Sequence, residues 1–154
     1  MRAIFALFIG LLAVGPLPVS AQSYSEPGRW TATRSALMDA IRVHVEWDLG
    51  QPTEFVVDQL RVAGDVPYGA LSPQLPGGGA IDLYNTPGYR RCMNPDHVDG
   101  THVAVLHRKL RETWVAVHQS IGATDVWFSA PDYCIEYMRR SFRSGVSNGD
   151  WCAV

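Results

Sequence analysis

Between Asn94 and His102 the chain reads NPDHVDGTH, which puts two imidazoles and two carboxylates into nine residues. Asp96, His97, Asp99 and His102 carry the donor atoms a divalent metal needs, and a histidine beside a carboxylate can also move protons. The chemistry they suggest is a metal-assisted or histidine-dependent hydrolase or lyase built on His97, Asp99 and His102. The spacing His97-x4-His102 matches no standard zinc pattern, and no cysteine pair has the short spacing of a structural zinc site. The same residues also read as a loop. Asn94-Pro95 opens a turn and Asp99-Gly100 closes one, because Asn and Asp side chains bond their own backbone. We read the stretch as a turn and keep the catalytic or metal site as the alternative.

Other residues invite similar scrutiny. His102 and His118 are expected near one another across the last two strands, with His107 on the opposite face from His102. Half-exposed histidines on a sheet surface are the simpler account. Glu112 sits too close to a turn to be a partner. In SIGATDVWFSAPDYC, Gly122 suits a bulge or bend, and Asp125 is placed to accept from it or to orient a ligand. Trp127 and Phe128 fall on opposite faces, so one is core and one nearer solvent. Tyr68, Trp114, Asp125 and Trp127 are the candidate ligand-binding residues. Cys92 follows Arg90 and Arg91, whose charges favour a thiolate. No nucleophile elbow, phosphate loop or metalloprotease helix motif occurs, and PGGGA at 76–80 lacks the Lys-Ser/Thr of a phosphate cradle. No cofactor is expected.

These residues need elements to hold them. Leu37, Ala40, Ile41, Val45 and Leu49 recur at helical spacing, with His44 on the same face and Met38, Arg42 and Glu46 off it. Thr33 is the expected N-cap, and Gly50 followed by Pro52 ends the helix. TEFVVDQLRVAGDVPYGALSP reads as a hairpin turning at Gly64-Asp65. Phe55 and Val57 share one face; Val56, Leu60 and Val62 share the other. The returning strand is expected over 68–71, and AIDLY reads as a short strand or edge. THVAVLHRKL and TWVAVHQSIGATDVWF read as two long strands joined through RKLRET. A short helix follows, capped by Asp132, with Cys134, Tyr137, Met138 and Phe142 on one face and Gly145 at its end. The order predicts an α+β fold: one long N-terminal helix packed on an antiparallel sheet of four or five strands, then a short C-terminal helix.

Element order resembles the cystatin-like and NTF2-like architectures, in which a curved sheet wraps a helix. Leu49-Gly50-x-Pro52 with EFVV, and Ile121 to Val126, are similar to small uncharacterised exported bacterial proteins over residues 34–128. At Val66-Pro67-Tyr68 the chain departs from that pattern, which expects a Trp-aromatic start to the strand. The resemblance implies a bacterial envelope domain and carries no site residues.

The first residues indicate compartment. Arg2, an apolar run from Ala3 to Gly15, and Val19-Ser20-Ala21 form the three regions of a secretory signal peptide. Removing 1–21 from the 154 residues leaves 133, a single domain spanning 22–154. The remaining 12 basic and 15 acidic side chains give a formal charge of −3, which does not suit nucleic acid. No second apolar run is long enough to span a membrane. Export to an oxidising periplasm permits disulfides. Of the three cysteines, Cys134 and Cys152 are the favoured pair, worth about 3 kcal/mol in the chain-entropy account, leaving Cys92 free or intermolecular. The expected function is a small exported binding domain without catalysis, holding an unknown small ligand or envelope protein on the concave side of its sheet. An enzyme inhibitor or immunity-type protein presenting PQLPGGGA is a further alternative.

Overall fold

The structure, a computed structural model, describes residues 24–138. The expected signal peptide and the tail that holds Phe142, Gly145 and Cys152 lie outside the described residues. The fold is α+β. Helix α1 (Ala32–Leu49) precedes β1 (Glu54–Ala63), β2 (Val66–Gln74), the single-turn helix α2 (Pro87–Arg90), β3 (Val103–Leu110) and β4 (Thr113–Ile121). Helix α3 (Pro131–Tyr133) then continues as a π-helical turn, Cys134–Met138. The four strands form one antiparallel meander in the order β1-β2-β3-β4. The expected edge strand AIDLY is instead a 3-10 turn, Leu83–Asn85, whose start is capped when the Asp82 side chain accepts from the Tyr84 N–H. Ile81 and Leu83 still point into the core.

Thr31, not Thr33, caps α1. Its hydroxyl donates to the Gly28 carbonyl at 2.9 Å and accepts from the Arg34 N–H, so the helix starts two residues early, on a turn already closed. At the other end Gly50 takes φ 74° and donates to the Glu46 carbonyl. A side chain there would also collide with the Pro87 ring, so no other residue fits the cap. Leu37, Ile41, Val45 and Leu49 are buried, as the spacing requires, each worth roughly 1.5–3 kcal/mol of burial. Met38 joins them in the core. It was expected off the face, but the buried stripe is wider than the single row of 3–4 spacing.

A bulge reorders the faces of β1. The register skips between Val57 and Gln59, leaving Asp58 as the extra residue, which accepts from the Ser72 hydroxyl at 2.6 Å. Past it the alternation inverts, so Leu60 and Val62 join Phe55 and Val57 on the helix side rather than opposing them. A second bulge at Val117 in β4 shifts the β3–β4 register between Leu106 and His107. Strand β2 is longer than expected because Val66-Pro67 already pairs with Val62 and Ala63.

The sheet is covered on both sides. On one side α1 packs over Leu60, Leu71, Val103, Val105 and Ala116. On the other, Val66, Tyr68 and Leu106 lie under Cys134 and Tyr137 of the C-terminal turn, with Trp127, Phe128 and Tyr133 alongside. This explains why Val103 through His107 are buried without alternation. The C-terminal helix is capped by Ala130 with no side-chain bond, not by Asp132. Its hold on the sheet comes from aromatic contacts and from an ion pair between Arg108 and Glu136.

Candidate functional site

The stretch NPDHVDGTH folds as a tightly tied loop. Asn94 caps a 3-10 turn at Pro95–His97 through a bond from the Asp96 N–H at 3.1 Å. His102 Nδ1 lies 2.8 Å from the Asp99 carbonyl. The Asp99 N–H donates to the Gly122 carbonyl, and the Gly122 N–H to the His102 carbonyl, at 2.8 and 2.7 Å. Gly122 has φ 62°, and a Cβ there would stand 2.5 Å from the Gly100 carbonyl oxygen. The expected bend at Gly122 therefore clamps the loop to the end of β4. Among the described residues no three His, Cys, Asp or Glu side chains come together as a metal site. What is tied here are the main-chain N–H groups of His97 and Asp99, to the Asn94 and Gly122 carbonyls, and the His102 ring.

The other expected site residues are dispersed. Tyr68 and Trp127 lie in the aromatic cluster on the face away from α1, with Tyr68 edge-on to Phe128 at 5.1 Å. Burial raises the Tyr68 hydroxyl above its ordinary pKa, with the nearby Arg61 charge opposing. Trp114 packs on the helix side, under the Lys109 ammonium at 5.6 Å. Asp125 is exposed in the loop between them. Trp127 is half-buried against Phe128 and Tyr133, and its indole N–H is buried without a hydrogen-bond partner. The helix side of the sheet, where a ligand was expected, is filled by α1.

The histidines also separate. His118 pairs with Leu106, four positions after His102, which precedes β3, and its ring meets Tyr133 at 4.8 Å and Tyr137 at 5.8 Å. His107 points the other way, as parity requires, but it is fully buried rather than half-exposed. The two-sided cover of β3 leaves it no route to water.

An open cleft of about 560 Å³ lies at the end of the sheet, within the size range of small-molecule sites. Its wall joins Gln74, the glycine loop at Gly78 and Gly79, the turn at Asp82 and Tyr84, and Pro95 and Thr101 of the His-Asp loop. Tyr84 is the hinge of the site. Its hydroxyl donates to Asp96 at 2.5 Å, and its ring meets Tyr89 edge-on at 5.6 Å. The bond to Asp96 raises the Tyr84 pKa, and Asp82 adds to the effect. Tyr84 and Tyr89 remain 52% and 44% exposed. Thr86 holds both in place: its hydroxyl donates to the Leu83 carbonyl at 2.8 Å and accepts from the Tyr89 N–H at 3.2 Å.

Asp82 and Tyr84 lie in AIDLY, expected as a strand, and Tyr89 in the stretch after it, expected as loop. The signal was present in the chain, since Asp-x-Tyr-Asn and Thr-Pro are both capping sequences. Cys92 is exposed and free. The Arg91 guanidinium beside it in sequence is turned instead to Asp48 at 2.7 Å and to the Trp47 ring at 4.8 Å. Cys134 is buried, and its expected partner, Cys152, lies outside the described residues. No helix among the described residues is long and apolar enough to cross a membrane. No protein-family model, curated protein or solved structure matches this chain.

Proposed function

We propose that the chain is a small exported domain that acts by binding, and that its ligand seats in the cleft between the glycine loop and NPDHVDGTH. The observation that carries this reading is the cleft itself, open to solvent and lined by Tyr84, a half-exposed ring that the core does not need. The main-chain bonds of His97 and Asp99 and the ring bond of His102 fix the loop's backbone and anchor it at Gly122, which supports a positioning role for that loop over a catalytic one. The signal-peptide sequence supports export to the periplasm, and a Cys134–Cys152 disulfide fits that compartment.

Ligand-observed NMR against a library of small polar fragments tests the proposal. Ala80 is exposed on the cleft wall, so Ala80→Trp fills the cleft without disturbing the core. Fragments that bind the native chain and lose binding in Ala80→Trp are expected. Fragments that bind both equally would move the seat elsewhere, with the aromatic face at Tyr68 and Trp127 next to be tested. A His97→Ala/His102→Ala variant should keep binding; a hydrolytic activity lost in that variant would restore the enzyme reading.

One observation favours a second reading. Past the end of β2, residues 76–80 of PQLPGGGA are exposed yet held by bonds from the Gly78 N–H to the Leu75 carbonyl and from the Leu75 N–H to the Gly79 carbonyl, at 2.9 and 2.8 Å. A fixed, exposed loop is what an inhibitor presents. Inhibition of an envelope hydrolase by the native chain, lost on shortening 76–79, tests it.

A further inference from the structure

The lining of the cleft has one sign of charge. None of its residues is Lys, Arg or His, while Asp82 is part of the wall and Asp96, next to the lining residue Pro95, is bonded to the lining residue Tyr84. Neither carboxylate has an ion-pair partner among the described residues. The Asp82 oxygens accept only neutral donors, the Tyr84 N–H at 3.0 Å and the Asn85 side-chain amide at 2.5 Å. Asp96 likewise accepts from a neutral phenol. Glu54 adds a third carboxylate behind the wall, where it accepts from the Gly77 N–H at 3.3 Å. Between the two aspartates stands the exposed ring of Tyr84, with Tyr89 against it.

An anionic ligand would meet uncompensated negative charge on entering. A neutral one would gain nothing from it. A cation gains from both aspartates and from the negative faces of the rings. We infer that the cleft seats an alkylammonium group, with Asp82 and Asp96 as its counter-charges and Tyr84 as the ring it packs on. The inference rests on the binding reading above and adds the class of ligand. The ammonium is supplied by a free polyamine or by a lysine side chain of a peptide, and the same chemistry recognises both.

Titration of the full isotope-labelled chain, followed by amide NMR, separates the possibilities. The probes are spermidine, N-acetyl-lysine methylamide and, as a neutral comparator, maltotriose. The expected result is a saturable shift confined to Gly78, Gly79, Asp82, Tyr84 and Thr101 with the amines. Asp82→Asn, which keeps the capping oxygen, and Asp96→Asn should each weaken binding by about threefold to fivefold, the scale of an exposed ion pair. Added salt should weaken it further. Asp132→Asn, on the C-terminal helix, should leave it unchanged. Tighter binding of spermidine identifies a free polyamine, and tighter binding of the lysine compound a peptide.

Amine shifts spread over every exposed carboxylate, and indifferent to Asp82→Asn and Asp96→Asn, would overturn the inference. Maltotriose shifting the same amides while the amines do not would overturn the ligand class and leave the cleft as the binding site. Silence from all three probes, together with no fragment sensitive to Ala80→Trp, would remove both.

Discussion

His107 Nε2 lies 3.1 Å from the main-chain carbonyl of Leu37, joining the middle of β3 to the second turn of α1 in the fully buried interface between them. A carbonyl only accepts, so Nε2 carries the hydrogen and the ring is neutral. Nδ1 is buried with no partner, and protonating it would place an unmatched charge in the core. Burial pushes the His107 pKa from 6.5 down to about 4, with the Leu37 bond opposing.

That shift makes stability depend on pH. The unfolded imidazole takes up its proton near 6.5, while the folded one resists until about 4. Stability is complete above the unfolded value and is lost as pH falls through this window, by about 3 kcal/mol in all. Urea midpoints measured between pH 7 and 4 should fall accordingly, and His107→Leu should flatten that part of the curve. An unchanged slope in the variant would place the acid sensitivity on other groups.

Gly122 and Gly100 both take positive φ, at 62° and 64°, yet only Gly122 is crowded. Gly100→Ala should therefore cost about 1 kcal/mol, the backbone term alone. Gly122→Ala should cost roughly 2 kcal/mol or more, because the loop must also move off β4. Chemical denaturation of the two variants checks this, and equal losses would show that the clamp is not rigid.

The β3–β4 hairpin turns through two residues, Arg111 and Glu112, with Arg111 at φ 56°. A side chain in that region is held against its preference, and hairpin turns of this length favour glycine or asparagine. Arg111→Gly should raise stability by about 0.5–1 kcal/mol, read as a higher melting temperature. A loss would mean that the Arg111 side chain stabilises the turn by more than the strain costs.

Cys92 is exposed and free, so the native chain should show one rapidly reacting thiol, absent in Cys92→Ser. With the proposed Cys134–Cys152 bond in place, denaturation without reductant should reveal no further thiol. Two or more new thiols on unfolding would remove that bond.

Much of this fold was legible because local chemistry alone dictates it. The apolar spacing from Leu37 to Leu49 needs a helix, Gly50 ends it, and Gly64-Asp65 reverses the chain in two residues. The two hairpins follow from short turns, whereas β2 and β3 are joined by the long stretch between Gln74 and Val103. The bend at Gly122 was also readable, although not what it grips. Faces were lost wherever one inserted residue inverted the alternation, as Asp58 does for Leu60 and Val62. No composition rule marks such a residue, since a bulge depends on the partner strand.

The amino-acid sequence by itself determined the long helix, the two hairpins, their order and the antiparallel class, because periodicity, caps and turn residues act over a few positions. Only the tertiary structure decided that β3 is covered on both faces, that His107 is sealed in while His118 meets two tyrosines, and that Trp114 lies across the sheet from Tyr68 and Trp127. It alone brought the glycine loop, Asp82, Tyr84 and NPDHVDGTH to one cleft. Those outcomes turn on strand register and on which layer covers which face, and both are set by contacts between residues far apart in the chain.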